Sequence, residues 1–178
     1  MASKALAYRG RVIGVLLILL GLWGGLVPFV GPYFDFAYTP DKTWAYSSGR
    51  LWLSIVPAIA VLLGGLLVYA SDGGAAFGAF LAALGGVWFV IGQLVTSFAL
   101  PGHGITPGSP APGHGALFSP TTMRFLEQLG FFYGLGVVIL FFAAVSLGEV
   151  IVARMAARRY EQWVDTDIDG TTQYGTAY

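Results

Sequence analysis

Residues 51–100 read LWLSIVPAIAVLLGGLLVYA, then SDGG, then AAFGAFLAALGGVWFVIGQLVTSFAL, and Asp72 is the only charged residue among them. A membrane-spanning helix needs about 20 predominantly apolar residues. The runs on either side of SDGG each meet that length, and the four residues between them suit a tight turn. Both runs must be helical, because an open strand in lipid would leave backbone N–H and C=O groups unpaired. Working outward, Val12–Phe34 and Gln128–Val152 are of the same kind, the latter interrupted only by Glu149 near its end. The expected fold class is therefore an all-α membrane protein with four transmembrane helices at about 12–34, 51–70, 75–100 and 128–152. They form a transmembrane domain over 12–153, preceded by an N-terminus of 1–11 and followed by a charged tail of 154–178.

Composition supports this and excludes several other classes. Of 178 residues 56% are hydrophobic and 10% charged, against about 25% charged in a soluble domain. That gap argues against a soluble enzyme domain and a disordered linker, and the balance of nine cations with nine anions argues against a nucleic-acid binder. The absence of cysteine removes disulfides, thiolate metal sites and cysteine nucleophiles. Arginine outnumbers lysine seven to two, with abundant Gly, Ala and Val, a bias typical of GC-rich bacterial genes. The first apolar run is longer than a signal-peptide core and no small-x-small cleavage site follows it, so it reads as an uncleaved span.

Orientation follows from the basic residues. Lys4, Arg9 and Arg11 precede the first span and Arg154, Arg158 and Arg159 follow the fourth, leaving Lys42, Arg50 and Arg124 for the two long connections. With four spans both termini share a side, which is expected to be the cytoplasmic face of the cell membrane. Tyr33, Phe34, Phe36, Tyr38, Trp44, Tyr46 and Trp52 supply an aromatic belt on the outer side. Asp72 is placed to cap the third span, and Ser119-Pro120 to start the fourth helix outside the bilayer. Thr39-Pro40 repeats that signature in the first outer loop.

The first and third spans share a local pattern, Leu20-Gly21-Leu22-Trp23 and Gly85-Gly86-Val87-Trp88, each followed by an outer loop with an aromatic-[Ser/Thr]-Pro step and an arginine, Arg50 or Arg124. This suggests two pseudo-repeated helical hairpins related by an axis along the membrane normal, an arrangement found in some transporters; chance recurrence of common membrane residues is the alternative. Leu20-Gly21-Leu22-Trp23 followed by Val27-Pro28-Phe29 resembles the SPW-repeat membrane proteins, small bacterial proteins with a Ser-Pro-Trp motif in the first helix of each two-helix unit. Here Val27 and Phe29 stand where that motif has serine and tryptophan, and the second unit lacks the proline. The resemblance implies an architecture of paired hairpins and no particular chemistry.

Gly74, Gly78, Ala82 and Gly86 recur every four residues along the third span, and Gly21/Gly25 is a shorter case in the first. Small residues at this spacing let helix backbones approach closely. Packing within the bundle and a self-association face both fit.

Ionisable residues inside spans would be default functional candidates, but Asp35, Glu127 and Glu149 all read as lying near helix ends. Gln93, Thr96 and Ser97 give the third span its one polar patch, either an interhelical hydrogen bond or a candidate polar path. Pro101-Gly102-His103-Gly104 and Pro112-Gly113-His114-Gly115 offer two imidazoles on a Gly/Pro-rich loop, too few ligands for a metal site. Asp165-Thr166-Asp167-Ile168-Asp169-Gly170 is the opening half of a calcium loop, but Thr176 stands where the bidentate glutamate belongs. No nucleophile–base constellation is visible.

The sequence thus points to a structural or accessory membrane protein, not an enzyme, without cofactor or metal. It would pack as a homo-oligomer or with a partner in a larger membrane complex. The alternative is a small oligomeric transporter or channel.

Overall fold

Two apolar runs separated by four residues fold back on one another as antiparallel helices, with a turn at Gly73 and Gly74, and the flanking runs complete a ring of four. The computed structural model describes residues 2–34, 36, 43–70, 73–99 and 120–174, and among them every regular element is helical. α1 is Ala2–Val30, closed by a 3-10 turn at Gly31–Phe34. α2 runs continuously over 48–70, with a first turn Ser48–Arg50, a π-helical segment Leu51–Ile55 and an α-helical remainder Val56–Ala70. α3 is Ala75–Ala99. α4 runs over 120–174, as Pro120–Gln128, a second π-helical segment Leu129–Tyr133 and the long stretch Gly134–Tyr174. Each of the four contains a stretch long and apolar enough to cross a membrane.

The helices pack in chain order, α1 on α2, α2 on α3 and α3 on α4, with α4 closing more thinly on α1. One end of the bundle, the loop end, carries the connections α1–α2 and α3–α4. The other, the tail end, carries the start of α1, the α2–α3 turn and the continuation of α4.

The packing inverts the usual size order. A Cβ on Gly78 of α3 would lie 2.6 Å from the Gly64 carbonyl oxygen of α2, and one on Gly64 would lie 2.5 Å from the Gly78 carbonyl oxygen. At Gly14 of α1 it would meet the Tyr69 backbone nitrogen at 2.7 Å, and at Gly136 of α4 the Gly86 carbonyl oxygen at 2.7 Å. Three successive helix pairs thus meet backbone to backbone, where van der Waals contact is the available attraction in lipid. Leu17, Leu53, Val61, Phe89, Phe132 and Ile139 fill the centre. Large apolar side chains such as Leu19, Leu26, Ile59, Leu63, Phe77, Phe80 and Phe141 stand on the outside, each about half exposed.

Two helices are longer than their expected spans. α1 starts at Ala2 rather than 12, and α4 covers 120–174 rather than 128–152. Pro120 is well suited to the first helical position, and Ala153–Gln162 is rich in the helix formers Ala, Arg, Met, Glu and Gln. The tail therefore leaves the bundle as a helix, with every residue from Ile151 to Trp163 exposed. Asp165–Gly170 is helical as well, whereas a calcium loop needs a sharp turn at its glycine.

Candidate functional site at the loop end of the bundle

Both π-helical segments lie toward the loop-end start of their helices, α2 and α4. In a π-helical turn the N–H of residue i+5 serves the carbonyl of residue i, and the Val56 N–H accordingly bonds the Leu51 carbonyl. The next bond would require an N–H from residue 57, which is Pro57 and has none. The Trp52 carbonyl is served instead by the indole Nε1–H of Trp88 on α3, at 2.8 Å. On the opposite side of the ring the indole Nε1–H of Trp23 on α1 donates to the Gly130 carbonyl at 3.2 Å. Trp52 and Gly130 are each the second residue of their π-helical segment. The two tryptophans are those of the shared sequence pattern, and each braces the bulged helix of the other hairpin.

A double-mutant cycle tests the brace on α2. Trp88→Phe should cost about 1–2 kcal/mol, because the bond lies at the exposed surface of the bundle, where surrounding lipid would supply no replacement donor. In a Pro57→Ala background residue 57 again carries an N–H, and the cost of Trp88→Phe should fall by at least about 1 kcal/mol. The check is reversible unfolding in detergent. Equal costs in both backgrounds would show that the indole contributes packing alone.

Immediately before the first π-helical segment sits Arg50, whose side chain is 0% exposed. Ser47 caps this helix, its hydroxyl oxygen accepting from the Arg50 backbone N–H at 3.2 Å. The Arg50 guanidinium turns inward, donating through Nη1 to the Ala45 carbonyl at 2.7 Å and lying 5.4 Å from the centre of the Phe29 ring. Glu127, just before the second π-helical segment, is also buried. The loop end thus holds a buried guanidinium and a buried carboxyl group, on α2 and α4. Sequence reading left both at helix ends. No local signal marks either as buried, because the burial depends on which helices the fold brings against them.

Aromatic rings close this end. Phe36 stacks on Phe131 with centroids 4.6 Å apart, and its N–H returns to the Gly31 carbonyl at 3.0 Å. Trp44 packs on Phe29 at 6.0 Å, and its N–H reaches the Phe29 carbonyl at 3.5 Å. Trp44 has φ 54°, the only non-glycine at positive φ among the described residues.

The small-residue stripe of α3 does not keep to one neighbour. Gly78 and Ala82 lie against Gly64 of α2, whereas Gly86 meets Gly136 and Ile139 of α4. A four-residue step overshoots a 3.6-residue turn by about 40°, so the stripe winds from one neighbour to the next, and Gly85 continues the α2 contact at Pro57. Gly74 sits at the α2–α3 turn, its carbonyl accepting from the Gly78 N–H at 2.8 Å. Gly21 and Gly25 of α1 face Ala58 of α2. Gln93 is partly buried with its amide nitrogen enclosed. Thr96 and Ser97 belong to α3, but their side chains lie outside the described residues, as do Asp72, Thr39-Pro40, His103 and His114. Among the described residues no group of three His, Cys, Asp or Glu is placed to hold a metal ion.

Comparison with family models, with curated proteins and with solved structures finds no match to this chain.

Proposed function

We propose that this chain is an integral membrane protein with a structural or accessory role, packing with itself or within a larger membrane complex. The observation that carries the role is the filled centre. Leu17, Val61, Phe89 and Ile139 are 0% exposed along the interior of the ring, so the described residues of one copy form a packed core there. The girdle of half-exposed large apolar residues supports residence in lipid, since a water-facing surface seldom carries so continuous an apolar area. The six terminal cations at the tail end and the tryptophan- and tyrosine-bearing loop at the other support an orientation with both termini in the cytoplasm. Two pseudo-equivalent hairpins, the arrangement the SPW-type resemblance implies, are supported by the paired tryptophan bonds. In such an arrangement an axis carrying α1 onto α3 and α2 onto α4 would exchange one bond for the other.

The alternative, an oligomeric transporter or channel with a path near Gln93, Thr96 and Ser97, requires that path to form between copies. Native mass in nanodiscs distinguishes the two. Co-purification with a stoichiometric unlike partner, or an open-ended self-association, is the expected result for an accessory protein. A closed ring of identical subunits with ion or solute flux would overturn it in favour of transport.

A further inference from the structure

Exposed arginines gather at the tail end of the bundle. Arg9 and Arg11 stand on α1, and Arg154, Arg158 and Arg159 on α4. Among the described residues none of them has an ion-pair partner. We infer, on the footing of the membrane reading above, that this end selects anionic phospholipids, with Arg9, Arg11 and Arg154 taking the headgroup phosphates.

The antiparallel course of α1 and α4 brings these three to one layer. Gly24 of α1 lies against Leu135 of α4. Counting outward from that contact, Arg11 is level with Gly148 and Arg9 with Val150. Arg154 stands about 9 Å beyond the level of Arg11, at 1.5 Å per residue. A helical side chain leaves its backbone tilted toward the helix N-terminus. On α1 that direction leads out of the bundle, and on α4 it leads back toward it. Arg9 and Arg11 therefore approach from one side the layer that Arg154 approaches from the other. The headgroup region of one leaflet, about 5–7 Å thick, fits between them.

Continuity with the apolar girdle favours lipid over an acidic protein partner. Leu26, Leu22, Leu19 and Val15 are exposed along one side of α1. At the same spacing of three or four residues the row runs on through Arg11 to Tyr8, which is 71% exposed. A lipid whose acyl chain covers the apolar length of this row brings its headgroup to Arg11, and a tyrosine suits that boundary. Planar guanidinium groups pair bidentately with phosphate oxygens. Glu149, partly buried, is the one carboxylate among the described side chains at this level. The excess of cations over it favours headgroups with net negative charge over zwitterionic ones.

The test uses the full chain reconstituted in vesicles of phosphatidylcholine and phosphatidylglycerol in equal parts, then released into mild detergent. Mass spectrometry counts the two lipids that remain on the protein. Phosphatidylglycerol should exceed phosphatidylcholine about fivefold or more, the ratio set by about 1 kcal/mol for even one basic residue near the surface. Arg9→Gln/Arg11→Gln/Arg154→Gln should bring the ratio close to one, and Glu149→Gln should raise it. If the triple variant does not fold, Arg11→Gln alone carries the comparison and should lower the ratio. Excess inorganic phosphate should leave the retained lipid in place; its displacement would assign the site to free phosphate and overturn the commitment to lipid. A ratio near one in the unaltered chain, or an unchanged ratio in the arginine variants, overturns the inference. Failure of the membrane reading itself would be seen earlier and separately, as release of the chain from membranes by alkaline washing.

Discussion

Gly78→Leu should destabilise the bundle by about 3 kcal/mol or more, while Gly148→Leu should leave it nearly unchanged. Both substitutions add the same side chain to a glycine within a membrane-length helix. At Gly78 the first added carbon already lies 2.6 Å from the Gly64 carbonyl oxygen and 2.7 Å from the Leu67 Cβ. The obstacle on one side is backbone and cannot rotate aside, so α2 and α3 must separate. Overpacking commonly costs about 1–3 kcal/mol where side chains can adjust, and here the adjustment would break the contact that joins the two hairpins. At Gly148 a Cβ meets nothing within 4 Å. Thermal unfolding of the two variants in one detergent is the check. Equal melting temperatures would mean that α3 does not meet α2 at this glycine.

The second large effect is expected at Arg50. Arg50→Ala removes the donor to the Ala45 carbonyl and the cation over Phe29, and it leaves a cavity at a site with no exposure. A hydrogen bond involving a charged group contributes about 1.5–3 kcal/mol, and the cavity adds to it, so a loss of about 3 kcal/mol or more is expected. Arg50→Lys should restore little. An ammonium is a compact, strongly hydrated charge and cannot lie flat on the Phe29 ring while reaching sideways to a carbonyl. Because the loop end is held through Phe29, limited proteolysis should cut the α1–α2 connection faster in both variants. A stable, uncut Arg50→Ala protein would show that the buried guanidinium is dispensable.

The four helices were legible from chain chemistry because a charge-free run of this length has few other uses, and because SDGG between 51–70 and 75–100 admits only a turn. The detail at the loop end was not. Pro57 withdraws an N–H, which is a local signal, but which donor replaces it depends on where Trp88 of the next helix arrives. Trp23 and Trp88 stood out as a shared pattern, and their role as donors required the fold. Arg50 read as one of the outer cations because charge counting treats a basic residue beside a span as solvated. Its burial depends on the Ala45 carbonyl and on the Phe29 ring that α1 brings to its guanidinium. The stripe from Gly74 to Gly86 looked like a single face, although four-residue spacing alone already implies that it winds. In the tail, the acidic run drew attention away from the helix formers that precede it.

Single cysteines in this cysteine-free chain test the central claim, a four-span bundle with both termini inside, most directly. Thr43 is exposed and probes the first connection. Ser109 probes the second and Thr172 the tail. In intact cells an impermeant thiol reagent should label Thr43→Cys and Ser109→Cys, and should label Thr172→Cys only after the membrane is opened. Labelling of Thr172→Cys in intact cells, with Thr43→Cys protected, would invert the orientation. Opposite outcomes at Thr43 and Ser109 would contradict the four-span bundle itself.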